Sequence, residues 1–280
     1  MMAHHIPASP GPRVAAREVL LQVRGLRAAV SLGDAEFPVL DDVNFDLRRG
    51  ERLAVQGEAE SALPLLARAL TGRPAHGDRV VAGTTRLAGG PVRSLTEPGE
   101  PAHRSAGNIA PLGPAAPALP HTGRPPAGPR VLVADLTGLS ADEAGARTGR
   151  LRAMAPALDA DGTGLIVVGG PFAAVARLCD TLQIVAGGRI VERGPAAELR
   201  ARPRHGLTEA LRTGAAAPPR GAGTGRGCFF EPHCPRGRGQ ESCRRDVPGP
   251  TPFVSPHGSV TVKCHFPAPA APPCHESRLS

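Results

Sequence analysis

Apolar residues fall along this chain in two spacings. Val19–Val23 (VLLQV) is a mostly apolar run, and Val43–Leu47 (VNFDL) alternates apolar with polar as a half-buried strand does, so residues 18–56 read as β-rich. Arg48-Arg49-Gly50-Glu51 reads as a turn into an apolar strand, Leu53–Val55, which ends in a tight turn opening at Gly57. A helical spacing follows, with Leu65, Leu66, Ala69 and Leu70 on one face, and residues 79–88 predict another strand. Val131–Asp135 (VLVAD) and Leu165–Val168 (LIVV) are continuous apolar runs of the kind buried on both faces of a sheet. Between them a helix is predicted over about 140–158, with Leu151, Met154, Ala155 and Leu158 on one stripe and Pro156 fraying its end. Phe172–Cys179 reads as a short helix, Leu182–Val185 and Arg189–Glu192 as a hairpin around Gly187-Gly188, and 196–201 and 207–213 as short helices. Apolar strands alternating with helices predict an α/β sheet with helices on its faces.

Two stretches break the pattern. Residues 89–130 are packed with Pro, Gly and Ala and keep no helical period; they predict an ill-ordered, proline-stiffened loop with one short strand near Asn108–Ala110. Residues 214–227 (GAAAPPRGAGTGRG) read as a flexible linker. The expected organisation is a disordered N-terminus at 1–17, an α/β domain at 18–213, the linker, a separate Cys-rich region at 228–266 and a disordered tail at 267–280.

Composition narrows the function. With 280 residues the chain can bury a substantial core, although 35 Gly and 32 Pro favour loops. The net charge of +8 suggests nucleic acid, but the arginines are scattered, Lys263 is the sole lysine, and there is neither Trp nor Tyr to stack on bases. We therefore expect no nucleic-acid partner. MMAHHIPASPGPR lacks the 7–15-residue apolar core of a signal peptide. No window approaches the roughly 20 apolar residues of a membrane span. The expectation is a soluble, cytoplasmic chain whose six cysteines are not read first as disulfides.

Two stretches carry candidate chemistry. Gly50–Gly72 has the strand–turn–helix frame of a phosphate-binding loop, whose working form is G-x-x-x-x-G-K-[ST]. Here the window is Gly57-Glu58-Ala59-Glu60-Ser61-Ala62-Leu63-Pro64, with Leu63 in the lysine position and Pro64 in the position of the magnesium-binding hydroxyl. A core strand–helix unit is the favoured reading over a catalytic loop. The second stretch is Cys228-x5-Cys234-x8-Cys243-x20-Cys264, a set of four thiols suited to Zn²⁺ or an iron–sulfur cluster, with zinc the default on spacing. His233 and His265 flank it and read as surface histidines; Cys179 reads as a small buried hydrophobe and Cys274 as an idle tail residue.

Taken together, VLDDVNFDLRRGERLAVQGE, PRVLVAD, LIVVGGPFAAVARLCDTLQIVAGGRIVERGPAAEL and RPRHGLTEAL resemble, in order and spacing, the ATP-binding subunits of ABC transporters of the oligopeptide/dipeptide importer type. The resemblance covers about 19–72 and 129–266. It implies a P-loop NTPase-like α/β core with a helical subdomain, here reduced to the 89–130 loop. Gly57, Ser61 and Asp135 then fall at a degenerate nucleotide site, with Asp135 the Walker B aspartate and Asp142 the D-loop aspartate. The chain departs from the family elsewhere: Leu136 stands for the catalytic glutamate, Gly170 for the switch histidine, Leu112 for the magnesium-contacting glutamine, Val30 for the adenine-stacking aromatic, and the LSGGQ signature is absent. The resemblance implies a second ATPase subunit and membrane permease subunits as partners, placing the chain peripherally at the inner face of the membrane. It also shifts the thiol reading: Cys228, Cys234, Cys243 and Cys264 are expected to hold a 4Fe–4S cluster, then zinc, then nothing, in that order. ATP and magnesium binding are in doubt, and hydrolysis is not expected. The alternative reading is a non-catalytic scaffold with an ABC-like core and a metal-binding tail.

Overall fold

The computed structural model describes residues 17–57, 62–91, 93–96, 109–112, 130–215 and 226–269. Two sheets organise them. The first is antiparallel, ordered β2 (Ala35–Arg48), β1 (Val19–Leu32), β4 (Asp78–Leu87), β5 (Arg93–Ser94). The second holds β3 (Arg52–Gly57), β6 (Ile109–Leu112), β7 (Val131–Asp135), β8 (Gly164–Val168), β9 (Thr181–Ala186), β10 (Arg189–Pro195), β11 (Thr251–Ser255) and β12 (Gly258–Val262). Its order is β11-β12-β10-β9-β3-β8-β7-β6, parallel from β9 through β6 and antiparallel from β10 to β11. The helices are α1 (Ala62–Thr71), α2 (Ala141–Asp161), α3 (Phe172–Leu178), α4 (Ala196–Ala201), α5 (Gly206–Thr213) and α6 (Glu241–Arg245). This is a P-loop NTPase-like α/β core: β3 leads through 58–61 to α1, and β8 separates β3 from β7.

The apolar runs explain the layers. Successive strand residues point to opposite faces, so Leu132, Ala134, Leu165 and Val167 pack with α2 and α3 on one side. Val131, Val133, Ile166 and Val168 pack with α1 and the antiparallel sheet on the other. With both faces covered, an unbroken apolar strand is the stable choice.

Three expectations need correction. Helix α2 does not fray at Pro156 but runs to Asp161 and stops at Gly162, in the left-handed conformation with φ 67°. Pro156 and Arg152 are both exposed, so the Arg152 carbonyl freed by the missing N–H is solvated, while Leu158 beyond it is buried and anchors the last turn. The other end of α2 is fixed by a capping box in which the Ser140 hydroxyl accepts from the Glu143 N–H and the Glu143 carboxylate accepts from Ser140 N–H at 3.0 Å. Second, the 89–130 stretch contains two strands, β5 and β6, the latter pairing in parallel with β7; residues 97–108 and 113–129 lie outside the described residues, as do 1–16 and 270–280. Third, the Cys-rich region is not separate. Strand β12 pairs with β10, and Phe230, Cys234 and Val260 are buried in the same core as β7–β9.

One ion pair ties α1 to the antiparallel sheet. The Arg68 guanidinium donates to both carboxylate oxygens of Asp78, at 2.5 and 2.9 Å, and Ala75 N–H donates to the same carboxylate at 2.8 Å. Burial pushes the Asp78 carboxyl up, but the Arg68 and Ala75 bonds outweigh it and hold it below the usual range. A depressed carboxylate stabilises the fold above its unfolded pKa and loses that contribution as pH falls through the folded value. Asp78→Asn is expected to cost about 1–2 kcal/mol at pH 7. The gap to the unsubstituted chain should close below about pH 4 in urea titrations.

Candidate functional site

The C-terminal ends of β3, β7 and β8 meet at one edge of the sheet, where ligands bind in open α/β folds. Gly57 ends β3 so close to β9 that an added Cβ would lie 2.2 Å from the Val185 carbonyl oxygen. Gln56, buried beside it, donates from Nε2 to the Gly169 carbonyl at 2.6 Å and so ties the tip of β3 to the turn after β8. Residues 58–61, including the expected site residue Ser61, lie outside the described residues.

Helix α1 carries one cation, Arg68, and it is paired with Asp78. Leu63 is 1% exposed and packs in the core with Ala62, Leu65 and Leu66. One oxygen of the Asp135 carboxylate is held by its own chain: Oδ1 accepts from Thr137 N–H at 2.9 Å and from the Thr137 hydroxyl at 2.5 Å. Leu136 is 2% exposed, and an ideal Cβ on Gly170 would sit 2.7 Å from Leu136 Cδ1 and 3.3 Å from Val175 Cγ2. The positions of the catalytic glutamate and the switch histidine in the resembled family thus meet here as a leucine packed over a glycine. Leu112 is buried on the edge strand β6, and Val30 packs against the core from β1. Asp142 is exposed in the first turn of α2. Gly57 and Asp135 are therefore brought to one edge, and the cation of α1, Arg68, is engaged with Asp78. Thr137 and Gln56, which occupy the polar groups of this edge, carry no motif that would have marked them in advance.

The four tail thiols are held more purposefully. Cys228, Cys234, Cys243 and Cys264 are all free, and Cys234 and Cys243 are buried. Cys228 N–H donates to the Cys243 carbonyl at 2.7 Å, closing the loop that contains the 3₁₀ turn Glu231–His233 and α6. Lys263 N–H donates to the Val191 carbonyl at 2.7 Å and brings Cys264 alongside β10. Space is tight: a Cβ on Gly237 would lie 2.9 Å from Cys243 Sγ and 3.5 Å from Cys234 Sγ, and one on Gly206 would lie 2.8 Å from Cys234 Sγ.

Backbone N–H groups point at three of the sulfurs. Gly237 N–H donates to Cys234 Sγ at 3.3 Å, Phe230 N–H to Cys228 and Phe266 N–H to Cys264. Such bonds favour thiolate over thiol. Against them, burial together with the charges of the other cysteines pushes the Cys228 thiol up to about 11, and burial raises Cys243 and Cys264 as well. A bound cation is what reverses that balance, because a coordinating thiol is deprotonated. Among the described residues no group of three or more His, Cys, Asp and Glu side chains is set to hold a metal ion as it stands.

Two residues absent from the sequence expectations sit behind this cluster. His205, 1% exposed, caps α5, its Nδ1 accepting from Leu207 N–H at 3.1 Å, and its Nε2 lies 3.7 Å from Cys228 Sγ. Burial lowers its pKa to about 4, so the ring is neutral at pH 7. Glu192 on β10, fully buried, accepts from Arg204 N–H at 2.8 Å, His205 N–H at 3.0 Å and the Thr208 hydroxyl at 2.5 Å. His233 is exposed, and His265 Nε2 lies 3.2 Å from the Asp246 carbonyl oxygen. Cys179 is buried at the end of α3, where burial raises its thiol pKa; Cys274 lies outside the described residues.

No protein-family model matches the chain. Over 91 residues, 32% of its length, it is 38% identical to the lipoprotein-releasing system ATP-binding protein LolD of Chromohalobacter salexigens, covering 35% of that protein. Over 50 residues, 18% of its length, it is 50% identical to the nickel import ATP-binding protein NikD of Rhodospirillum rubrum, covering 19% of that protein. Over 125 residues, 39% of the chain, it is 33% identical to a protein of Sinorhizobium fredii named "Probable peptide ABC transporter ATP-binding protein y4tS", covering 34% of it. The chain thus spans about a third or less of the curated relatives it matches. Among solved structures, cbiO1 of Clostridium perfringens, part of the ABC transporter complex cbiONQ, matches at TM-score 0.48 and 15% identity over 66% of this chain and 92% of that one. An ABC-transporter ATP-binding cassette in its ADP conformation matches at TM-score 0.46 and 14% identity over 70% and 95%. Among the described residues no helix is long and apolar enough to cross a membrane. Over part of its length, then, the chain is similar to ATP-binding proteins of ABC transporters.

Proposed function

We propose that this chain is an ATP-binding-type subunit of an ABC importer for peptides, that its own nucleotide site does not hydrolyse ATP, and that the chemistry it retains lies in the four-cysteine site. The observation that carries the first part is the packing of Leu136 over Gly170 beside an Asp135 whose carboxylate is held by Thr137. Phosphoryl transfer is mostly positioning and charge stabilisation. With Leu63 in the core and Arg68 paired with Asp78, α1 has no cation left free for that charge. The matches to peptide and nickel import proteins support the importer reading. Its partners would then be a second ATPase subunit and membrane permeases at the inner membrane face.

The donor set of Cys228, Cys234, Cys243 and Cys264, with N–H groups aimed at three sulfurs, fits a 4Fe–4S cluster. Those four residues would hold it, and the cluster would supply one-electron redox chemistry or a structural cross-link.

The purified full chain should show no ATP turnover and no low-micromolar Mg-ATP binding in a calorimetric titration. Turnover that disappears in Asp135→Asn would overturn the reading. Prepared anaerobically, the chain should be coloured by sulfur-to-iron absorption; a colourless protein with stoichiometric zinc would replace the cluster by a zinc site. Co-purification with membrane permeases distinguishes an importer subunit from a scaffold that drives no transport.

A further inference from the structure

We infer that His205 is a positioning residue of the four-cysteine site: it donates an N–H···S hydrogen bond from Nε2 to Cys228 Sγ, with its tautomer set by the cap it makes on α5. The inference rests on the four-thiol reading above and adds a residue that no cysteine spacing discloses.

The argument begins at the other ring nitrogen. Nδ1 accepts from Leu207 N–H at 3.1 Å, so it carries no proton, and a neutral ring then bears its proton on Nε2. Nε2 faces Cys228 Sγ at 3.7 Å, within reach of a sulfur acceptor. The ring cannot swing away. Its backbone N–H is held by Glu192 at 3.0 Å, its carbonyl accepts from Glu209 N–H at 3.2 Å, and the residue is 1% exposed. The next residue, Gly206, lies against Cys234 Sγ so closely that a Cβ there would come within 2.8 Å. The first turn of α5 therefore touches two of the four sulfurs, through a side-chain donor at one and bare backbone at the other. Phe230, between them in sequence, packs its ring 6.4 Å from the His205 ring. Cys228 then receives two donors, Phe230 N–H and His205 Nε2–H. Donors to ligating sulfur withdraw electron density from it, stabilising the thiolate and raising the potential of a cluster it binds.

The two functions of the ring can be separated by substitution. His205→Asn keeps an acceptor at the place of Nδ1, where asparagine caps helices well, but is too short to reach Cys228. His205→Gln places an amide N–H near the position of Nε2 and gives up the cap. The test uses the full chain carrying the metal it is isolated with, cobalt(II) being substituted where that metal is colourless. His205→Asn should lose its metal to a chelator about 10–100-fold faster, and its sulfur-to-metal absorption should move to longer wavelength, with a more negative midpoint potential where iron is present. Its urea midpoint should fall less than that of His205→Gln. His205→Gln should keep the absorption and potential of the unsubstituted chain. Absorption and metal retention unchanged in a folded His205→Asn would overturn the inference and leave the four-thiol reading standing. An unsubstituted chain that holds no metal would overturn both. Equal changes in both variants would reduce His205 to a structural residue and overturn the inference as well.

Discussion

Leu136→Glu, which restores the carboxylate of the resembled family, is expected to lower stability by about 3–5 kcal/mol and to produce no ATP turnover. Leu136 is 2% exposed in the core below the sheet edge, and the space a histidine would need at position 170 is filled by its own Cδ1, 2.7 Å from an ideal Gly170 Cβ. A glutamate there enters an apolar pocket beside Val175. It will resist ionisation, so its folded pKa rises. A raised carboxyl leaves stability intact below its unfolded value and removes it as pH climbs through the folded one. The deficit of Leu136→Glu should therefore be small near pH 4 and grow toward pH 7. Leu136→Met, which nearly conserves volume, should cost less than about 1.5 kcal/mol at every pH. Urea midpoints across pH measure both. A Leu136→Glu chain as stable as its parent would mean that this edge still has room and charge for a nucleotide, and the pseudo-site reading would fall.

That prediction rests on features of uneven legibility. The absence of lysine at Leu63 and of the carboxylate at Leu136 is visible in the letters alone. That the two losses are physically filled, one by the core and the other by its neighbour at Gly170, is a matter of contacts between β7 and the turn after β8, which no local pattern encodes. The parallel strands were readable because burial on both faces leaves an unbroken apolar run, as in Val131–Ala134 and Leu165–Val168. Strands β1 and β2 extend to 14 residues each, well past the apolar runs that announced them. Their outer ends, where Leu32 and Phe37 are exposed, keep no clean alternation and are held by ladder pairing such as Val30 with Phe37, and by ion pairs such as Arg79 with Glu36 at 3.0 Å. The Cys-rich region misled for a related reason. Its thiol spacing and the glycine-rich stretch before it suggested independence. Its attachment depends on two buried valines, Val260 and Val262, in the five-residue β12, and on Arg204, whose guanidinium sits 4.3 Å from the centre of the Phe253 ring. His205 was invisible because its sulfur partner lies 23 residues further along the chain.

Glu192→Ala is expected to cost about 3–5 kcal/mol and to loosen the four-cysteine region before the parallel sheet melts. The carboxylate is fully buried, and its three donors, Arg204 N–H, His205 N–H and the Thr208 hydroxyl, all belong to the entry and first turn of α5. Removing it strands three polar groups at about 1–3 kcal/mol each, less whatever water reaches them. It also opens a void beneath the helix whose first residues touch Cys228 and Cys234. The substitution lies on β10, the strand that carries β12, at the residue registered with Val262. Hydrogen exchange should therefore speed up first in α5 and β12, with β3, β7 and β8 protected as before. Glu192→Gln, which keeps one carbonyl acceptor in the same volume, should lose about half as much stability. Uniform loss of protection across both sheets would mean that α5 and the thiol region do not open separately from the core. Local loss confined to α5, β11 and β12 would identify Glu192 as the joint that holds the cysteine site on an otherwise self-sufficient α/β fold.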